Sequence, residues 1–335
     1  MATAATPVRA ALIGAGGMAR HHIPRMLALN TQIVAVCEPS EAQYQLTCDK
    51  LKSLDAPLPP NEPNLETMLA TYGPNLDAVF IITPHAYHHD QTKLCLEAGL
   101  DVLLEKPMVM NQQEALSLIE IRNRTKKLLV IAFQGGLSPQ IRYLSEQLRA
   151  GSLGQLLNVS GTVWQDWKTA QIGQWRTKPE ISGGGFLFDT GAHMLNTVCD
   201  IVGEDFTQVS AWFDPRGQAV DILSAVMGRT RSSVLVTINA CGDTIPSCAS
   251  TIKVVTTEAI VDTGQWGERL LIQRRGETEG SEVDLPTMRN AWEQFLDVRA
   301  GKIANPCPPE VGLRMARLWD AVRLSAARGG EMVTV

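Results

Sequence analysis

The sequence predicts two domains of different class: an α/β domain with a doubly wound parallel sheet, then an α+β domain with a large, mostly antiparallel sheet. In residues 8–133, short β-branched apolar runs alternate with helical periods, which is typical of βαβ units. Beyond residue 134, apolar runs follow one another mostly without intervening helices, which is typical of antiparallel strands. The length of 335 residues also suits two domains, which we expect at 1–133 and 134–335.

The first domain is predicted to contain five strands joined by helices. Strands are expected at 8–13, 33–37, 78–83, 102–105 and 128–133. Helices are expected at 17–29, 41–51, 65–71, 87–98 and 111–126. Residues 55–63 contain four prolines, which lack the N–H that a strand donates, so this segment is predicted to be a loop that masks a short third strand.

The second domain is predicted to begin with a helix at 139–150 and to continue as a sheet. Its strands are expected at 156–164, 207–213, 222–227, 233–239, 251–256 and 269–273. A last helix is expected at 310–328, because Val311, Met315, Leu318, Trp319 and Val322 recur at helical spacing. These five side chains are interpreted as core-facing.

The composition indicates a cytoplasmic protein with an ordinary hydrophobic core. Hydrophobic residues make up 44% of the chain, but no apolar run approaches the roughly 20 residues of a membrane span. The first residues lack the basic and apolar segments of a secretion signal, and the seven cysteines are scattered without a C-x-x-C pair. A net charge of −5 with dispersed basic residues does not favour nucleic acid. We therefore expect no nucleic-acid partner, no membrane partner and no metal site.

A glycine-rich turn links the first predicted strand to the first predicted helix. Gly14, Gly16, Gly17 and Met18, followed by Ala19, match G-x-G-x-x-A in the strand, turn and helix context that indicates a Rossmann domain. Gly14 allows the tight turn, Gly16 lets the backbone approach a pyrophosphate, and the helix N-terminus supplies N–H donors. A dinucleotide cofactor is therefore predicted at this turn.

The identity of the dinucleotide is predicted from the end of the second strand. Glu38 lies 24 residues beyond Gly14, close to where an acid binds the adenosine ribose hydroxyls. Pro39 and Ser40 follow it, so no adjacent basic residue would neutralise a 2′-phosphate. NAD is therefore favoured over NADP.

Further cofactor contacts are expected after the 78–83 strand, beside the nicotinamide half of the crevice. The residues at that place are Thr83, Pro84, His85 and His88. His21 and His22 lie on the first predicted helix with no acidic partner at metal-ligand spacing. They are interpreted as surface or packing residues.

Lys106 lies in the segment Glu105-Lys106-Pro107, directly after the apolar run 101–104. Ligands of open α/β sheets bind beyond the carboxyl ends of the strands, which is where this lysine is expected. There it would donate a hydrogen bond to a substrate oxygen and stabilise developing alkoxide character. The alternative is a solvated lysine at a strand end.

A second group of reactive side chains follows the glycine run 183–185. A helix is expected to begin just after these glycines, so that Asp189 and His193 share one helical face, joined by Asn196. A histidine takes up the hydroxyl proton when hydride leaves a secondary alcohol, and a carboxylate stabilises its protonated form. The alternative is an ordinary surface pair, but three glycines are costly at a helix entrance and favour the catalytic interpretation.

The ordered motifs resemble those of the glucose-fructose oxidoreductase, inositol dehydrogenase and rhizopine-catabolism family, Gfo/Idh/MocA. The motifs are Gly14-x-Gly16-x-x-Ala19, Glu105-Lys106-Pro107, Trp175-Arg176 and Asp189-x-Gly191-x-His193, and they extend over nearly the whole chain. The resemblance implies a Rossmann domain, a substrate-binding domain that forms homodimers or homotetramers through its sheet, and sugars or polyols as substrates.

The resemblance also implies that Lys106, Asp189 and His193 are the catalytic residues. Additional cofactor contacts are expected from Glu105, Lys106 and Gln134. The expected substrate contacts are Lys106, Trp164, Trp175, Arg176, Asp189, His193 and Asn196. Asn196 stands where many relatives carry a second aspartate, and Gly135-Gly136 stands where relatives often have bulkier or charged residues. Both differences bear on the substrate and not on the chemistry.

Trp164 and Trp167 lie near the end of the first strand of the second domain. Aromatic faces beside hydrogen-bonding groups suit a carbohydrate, but aromatic residues are equally typical of packing and of dimer interfaces. Both interpretations stay open on sequence grounds.

The predicted function is transfer of a hydride between NAD and a secondary alcohol or ketone of a sugar, a polyol or a related derivative. Two alternatives are a redox-assisted glycosidase that uses tightly held NAD, and a non-catalytic NAD-binding regulator on the same fold. Some relatives are such glycosidases, although they are usually longer and often exported. A regulator has no need to keep Lys106, Asp189 and His193 together.

Overall fold

The computed structural model describes residues 6–335, and the contacts divide the chain into two compact units. The first unit comprises the described residues up to Met108, together with Leu116–Ala132 and Arg289–Pro309. The second comprises Val109–Ala115, Phe133–Met288 and Glu310–Val335. The units are therefore built from segments that alternate along the chain.

The first unit contains a five-stranded parallel sheet of order β2-β1-β3-β4-β5. Its strands are β1 (Val8–Ile13), β2 (Thr31–Cys37), β3 (Ala78–Ile81), β4 (Asp101–Leu104) and β5 (Leu129–Ile131). The helices that follow the strands are α1 (Gly17–Ala28), α2 (Glu41–Lys52), α3 (Leu65–Tyr72), α4 (His88–Glu97) and α5 (Gln112–Thr125). The predicted parallel α/β fold is confirmed.

The predicted third strand is reduced to a single bridge, in which Asn61 pairs in parallel with Val36 of β2. Val36 N donates to Pro60 O, and Glu62 N donates to Val36 O, both at 2.9 Å. The surrounding prolines lack the N–H groups that would extend the pairing. With this bridge counted as a strand, the order is that of a dinucleotide-binding sheet, in which ligands bind where the strand order reverses, between β1 and β3.

The second unit contains a nine-stranded sheet of order β13-β12-β11-β10-β6-β9-β8-β7-β14. β6 and β9 pair in parallel and the other neighbours are antiparallel, which confirms the mostly antiparallel sheet. The strands are β6 (Leu156–Gln165), β7 (Phe206–Asp214), β8 (Leu223–Thr230), β9 (Leu235–Cys241), β10 (Cys248–Thr256), β11 (Ala259–Thr263), β12 (Leu270–Arg274), β13 (Ser281–Glu282) and β14 (Val333–Thr334).

The remaining helices are α6 (Gln134–Leu137), α7 (Pro139–Arg149), α8 (Trp167–Gln171), α9 (Pro179–Ser182), α10 (Ala192–Val202), α11 (Ala291–Arg299) and α12 (Pro309–Ala327). α11, which the sequence did not predict, belongs to the first unit. There Trp292 stacks on Phe80 with 6.0 Å between ring centroids, and its Nε1 donates to Thr31 Oγ1 at 2.8 Å. Within residues 6–335, every helix is too short or too polar to span a lipid bilayer.

α10 covers one face of the nine-stranded sheet and packs closely against β6. A Cβ atom at Gly161 would lie 2.5 Å from Met194 Sδ, so a larger residue there would displace the Met194 side chain. Successive side chains of a strand point to opposite faces, so Val159, Gly161 and Val163 point towards α10. Trp164 points to the other face.

Candidate active site

The predicted glycine turn follows β1 and is shaped by Gly14, whose φ is +91°. A Cβ atom on Gly14 would lie 2.7 Å from the carbonyl oxygen of Ile82, so only glycine fits there. In contrast, Cβ atoms on Gly16 and Gly17 would meet nothing within 4 Å. These two glycines therefore leave open space in front of the helix, as a cradle for a pyrophosphate requires.

The N-terminus of α1 supplies donors to this open space. Gly16 is the N-cap and, as a glycine, has no side chain that could accept a hydrogen bond from the first turn of α1. Uncapped N–H groups and the partial positive charge of a helix N-terminus attract phosphate oxygens. Met18 is exposed beside them, and Ala19 is fully buried, as close helix packing demands.

Glu38 is buried, and both of its carboxylate oxygens contact the backbone. Oε2 accepts a hydrogen bond from Ala15 N and Oε1 accepts one from Ser40 N, each at 2.8 Å. These contacts place the carboxylate against the glycine turn. Each oxygen can still accept a further bond, because a carboxylate has about four acceptor positions. The glycine cradle and this acid together fit a dinucleotide with free ribose hydroxyls.

Thr83 and Pro84 follow β3 and are half-exposed, whereas His85 and His88 are buried. His88 Nδ1 lies 2.7 Å from Pro107 O, and its Nε2 lies 2.9 Å from Thr83 O. Both ring nitrogens therefore contact carbonyl groups of the protein, and the ring has no exposed surface. That His85 and His88 line the nicotinamide half of the crevice stays a prediction.

Lys106 follows β4 and is half-buried, and the Lys106-Pro107 peptide bond is cis. The preceding Glu105 is buried, with Oε2 accepting a hydrogen bond from Lys106 N at 3.1 Å and Oε1 lying 2.9 Å from His22 Nε2. Burial alone would raise the pKa of Glu105, but the hydrogen bond with His22 and the charge of Lys106 hold that pKa below its usual value. Glu105 is thus a buried carboxylate that links His22 to the backbone of Lys106.

In the second unit, Asp189 does not lie on the helix as predicted. α10 begins at Ala192, and residues 186–191 form turns in which Asp189 N donates to Gly185 O at 2.9 Å. A Cβ atom at Gly191 would lie 2.6 Å from Leu187 O, so the tight turn delays the helix start. The prediction that Asp189 and His193 share one helical face is therefore wrong. His193 is in the first turn of α10, whereas Asp189 precedes the helix.

Two donors hold the carboxylate of Asp189. Its Oδ2 accepts a hydrogen bond from Trp167 Nε1 at 2.8 Å and faces Arg176 Nε at 2.9 Å. The Arg176 guanidinium lies over the ring of Trp175, 4.4 Å from its centroid. Asp189 and Trp167 are buried, so the ion pair and hydrogen bond act with little solvent screening. Both contacts stabilise the ionised form of the carboxylate.

The glycine run before Asp189 is explained by packing. Cβ atoms would lie 2.5 Å from Trp319 Cζ2 at Gly184 and 1.9 Å from Asp221 O at Gly185. Asp221 also accepts hydrogen bonds from Gly185 N at 2.7 Å and from Leu187 N at 3.0 Å. The glycine run that favoured a catalytic interpretation therefore allows the backbone to approach Asp221 closely. The hydrogen bonds to Asp221 fix the turn that contains Asp189.

His193 lies between two aromatic rings. Its ring centroid is 6.1 Å from that of Phe133 and 5.8 Å from that of Trp266, in edge-to-face arrangements. One turn later, Asn196 is buried, and neither atom of its amide has a hydrogen-bond partner among residues 6–335. The side-chain amide of Gln265 is also buried, and neither of its atoms has a hydrogen-bond partner among residues 6–335. Buried amides normally bind a partner, so these two are candidates for ligand or water contacts.

The other predicted substrate residues lie in different surroundings. Trp175 and Arg176 form a short 3₁₀ turn at Trp175–Thr177, and Gln134 is the exposed first residue of α6. Trp164 lies on the sheet face opposite α10, which carries His193. Of the two tryptophans near the end of β6, it is Trp167 that contacts Asp189.

Four contributors were absent from the set of site residues predicted from the sequence: His22, Trp167, Asp221 and Trp266. Their partners lie 83 residues away for His22, 22 for Trp167 and 36 for Asp221. The only sequence signal was the aromatic residue at 167, since local periodicity does not report partners at such separations.

Comparison with protein families gives two matches. The family described as "Oxidoreductase family, NAD-binding Rossmann fold" matches residues 8–133, and the "GFO/IDH/MocA C-terminal domain" matches residues 141–262. The two models together span most of the chain.

Among curated relatives, D-glucoside 3-dehydrogenase of Escherichia coli is 29% identical over 60% of this chain, and inositol 2-dehydrogenase of Corynebacterium glutamicum is 28% identical over 46%. The chain spans about half the length of these relatives, 56% and 44% respectively. The WlbA dehydrogenase structure from Chromobacterium violaceum has a TM-score of 0.82, with 21% identity and coverage of 99% of this chain and 97% of that one. At that identity the structural likeness shows the fold.

Proposed function

Because this chain belongs to the Gfo/Idh/MocA oxidoreductase family, we propose that it transfers a hydride between NAD and a CH–OH group of a sugar, a polyol or a related derivative. The observation that carries this proposal is the carboxylate of Asp189, which Trp167 and Arg176 hold as an anion shortly before His193. The glucoside and inositol dehydrogenases among its relatives support the substrate class.

Each of the three proposed catalytic residues has one task. A ring nitrogen of His193 takes up the hydroxyl proton, and the fixed charge of Asp189 stabilises the imidazolium that results. The Lys106 ammonium donates to the substrate oxygen and stabilises its alkoxide character. Bound NAD supplies the hydride acceptor. Arg176 and Asn196 are proposed substrate contacts.

NAD is the proposed cofactor, held by the glycine turn and by Glu38. A carboxylate fixed by two backbone N–H groups cannot move away from a 2′-phosphate, so NADP would place like charges together. Thr83, Pro84 and Gln134 are further proposed contacts. The seven free cysteines, five of them buried, support a cytoplasmic location.

The proposal is tested by following NADH formation from NAD with a panel of polyols, aldoses, inositols and glucosides, repeated with NADP. We expect turnover with at least one sugar or polyol and a preference for NAD. A strong preference for NADP would contradict the role of Glu38. Release of an aglycone without net NADH formation would instead indicate the redox-assisted glycosidase.

We also propose that the protein is a homodimer or homotetramer that associates through the face of the nine-stranded sheet opposite α10. Large apolar side chains are exposed on this face: Trp212 by 49%, Met227 by 57%, Leu235 by 56% and Ile260 by 39%. Exposed apolar patches on a sheet are typical of protein interfaces.

Replacing Leu235 with glutamate is expected to weaken self-association by about tenfold or more, because a charge would be buried without a partner in the interface. The mass in solution should be measured by light scattering across a dilution series. Ile245→Glu is the matched control, since Ile245 is 76% exposed in the loop after β9 and is expected to leave the mass unchanged. Equal behaviour of the two variants would contradict the proposed interface.

A further inference from the structure

Two buried histidines contact the segment Glu105-Lys106-Pro107, and the proposed chemistry assigns a task to neither of them. His22 belongs to α1 and His88 begins α4. They approach the segment on either side of Lys106, one through Glu105 and the other through Pro107. Of the two interpretations of His22 from the sequence, surface or packing, the structure shows a packed residue: it is buried and its ring lies 4.8 Å from that of Phe80. Its acidic partner, Glu105, is 83 residues away in the chain.

The contact between His22 and Glu105 is short and shielded from solvent. His22 Nε2 lies 2.9 Å from Glu105 Oε1, and the two side chains are 9% and 11% exposed. A carboxylate only accepts, so Nε2 carries the proton and donates it in this hydrogen bond. His22 Nδ1 is buried and has no hydrogen-bond partner among residues 6–335. The ring thus makes its one polar contact with Glu105.

Glu105 transmits this contact to the lysine. Its second oxygen, Oε2, accepts a hydrogen bond from the backbone N–H of Lys106 at 3.1 Å. The carboxylate therefore ties α1 to the backbone of the residue that would bind the substrate oxygen. Without the donor at His22, a buried carboxylate would need a proton, water or another donor, and each of these changes its position.

His88 holds the other side of the segment. Its Nδ1 lies 2.7 Å from Pro107 O and its Nε2 lies 2.9 Å from Thr83 O, so the ring joins the segment to the end of β3. Complete burial lowers the pKa of His88 in spite of these two carbonyl acceptors. A neutral ring has one N–H and donates to one of the carbonyls at a time.

We propose that His22 is a positioning residue for Lys106 that acts through the carboxylate of Glu105, while His88 anchors the opposite side of the same segment. The inference rests on the proposed function in one respect, namely that the Lys106 ammonium contacts the substrate. The placement of the lysine itself is a property of this unit alone.

The test compares His22→Leu, which removes the donor at similar volume, with His22→Gln, whose terminal N–H lies about where the imidazole Nε2 does. The matched control is His21→Leu, because His21 is the adjacent residue but is exposed and contacts Arg25. We expect His22→Leu to lower kcat by about 10- to 100-fold, as small displacements of a reacting group do. The Kd for NADH should stay within about twofold, and His22→Gln should recover most of kcat.

A second readout needs no substrate. Lysines are methylated reductively with ¹³C, and the Lys106 signal is assigned by its absence in Lys106→Arg. We expect this signal to shift in His22→Leu and to match wild type in His22→Gln and His21→Leu. If the protein lacks dehydrogenase activity but the signal still shifts, the proposed function fails and the positioning role stands.

Glu105→Gln is included in case His22→Leu misfolds, because it removes the buried charge that His22→Leu leaves unpaired. The double variant His22→Leu/Glu105→Gln should lose no more kcat than the more impaired single variant, because both changes break one linkage. The proposal would be overturned if the losses of kcat in the two single variants added up in the double variant. It would also be overturned if the Lys106 signal of His22→Leu stayed at the position seen in His21→Leu.

Discussion

Replacing Asp189 with asparagine is expected to lower kcat by about 100- to 10,000-fold while leaving the affinity for NADH unchanged. The asparagine keeps the shape of the side chain but loses the charge that Trp167 and Arg176 stabilise. An imidazolium at His193 would then form without the anion that the proposed chemistry assigns to it, and Arg176, whose side chain is 28% exposed, would lose its counter-charge. Steady-state kcat and the Kd for NADH should be measured on the same preparation.

The control for this variant is Asp243→Asn. Asp243 belongs to the same unit and, like Asp189, is held by two donors, here the basic side chains of Lys168 and Arg216, each at 3.2 Å. Asp243→Asn therefore measures the effect of losing a paired aspartate that has no proposed role in catalysis. If both variants kept wild-type kcat, or both lost it equally, the catalytic role of Asp189 would be refuted.

Replacing Gly185 with alanine is expected to destabilise the protein by about 3 kcal/mol or more, because overpacking and broken buried hydrogen bonds act together. The new Cβ atom would lie 1.9 Å from Asp221 O and 2.7 Å from Asp221 N, which are backbone atoms that cannot rotate away. Asp221 would have to move, which breaks the hydrogen bonds that Gly185 N and Phe186 N donate to it at 2.7 and 2.8 Å.

The loss corresponds to a decrease of about 6–12 °C in Tm, measurable by scanning calorimetry. Gly73→Ala is the control, since a Cβ atom there meets nothing within 4 Å and its φ is −48°. We expect that variant to be neutral or slightly stabilised, because alanine restricts the unfolded chain. A Tm for Gly185→Ala equal to that of Gly73→Ala would mean that the turn before Asp189 relaxes freely.

Much of the first unit could be predicted from the sequence because its signals are local. β1 was predicted with the observed bounds, and the need for glycine at position 14 follows from a turn only a few residues long. The third strand was predicted only as a short strand masked by the proline-rich loop 55–63, without its paired residue. Prolines removed its donors, and only the backbone of Val36 shows that one residue, Asn61, still pairs there.

The candidate site in the second unit was predicted by residue type but not by geometry. The motif identified Asp189 and His193, yet the helix begins after Asp189 because Gly191 closes a tight turn against Leu187. Trp164 and Trp167 are close in the sequence, but Trp164 belongs to β6 whereas Trp167 begins α8, and only Trp167 contacts Asp189.

By itself the sequence determined the fold class, the family and the residue types at the proposed site, because periodicity and motif order are properties of neighbouring residues. Only the tertiary structure decided which groups hold those residues: His22 for Glu105, Trp167 for Asp189, and Asp221 for the glycine run. The reason is physical. A buried donor or acceptor must find a partner wherever packing brings one, and that choice depends on segments far apart in the chain.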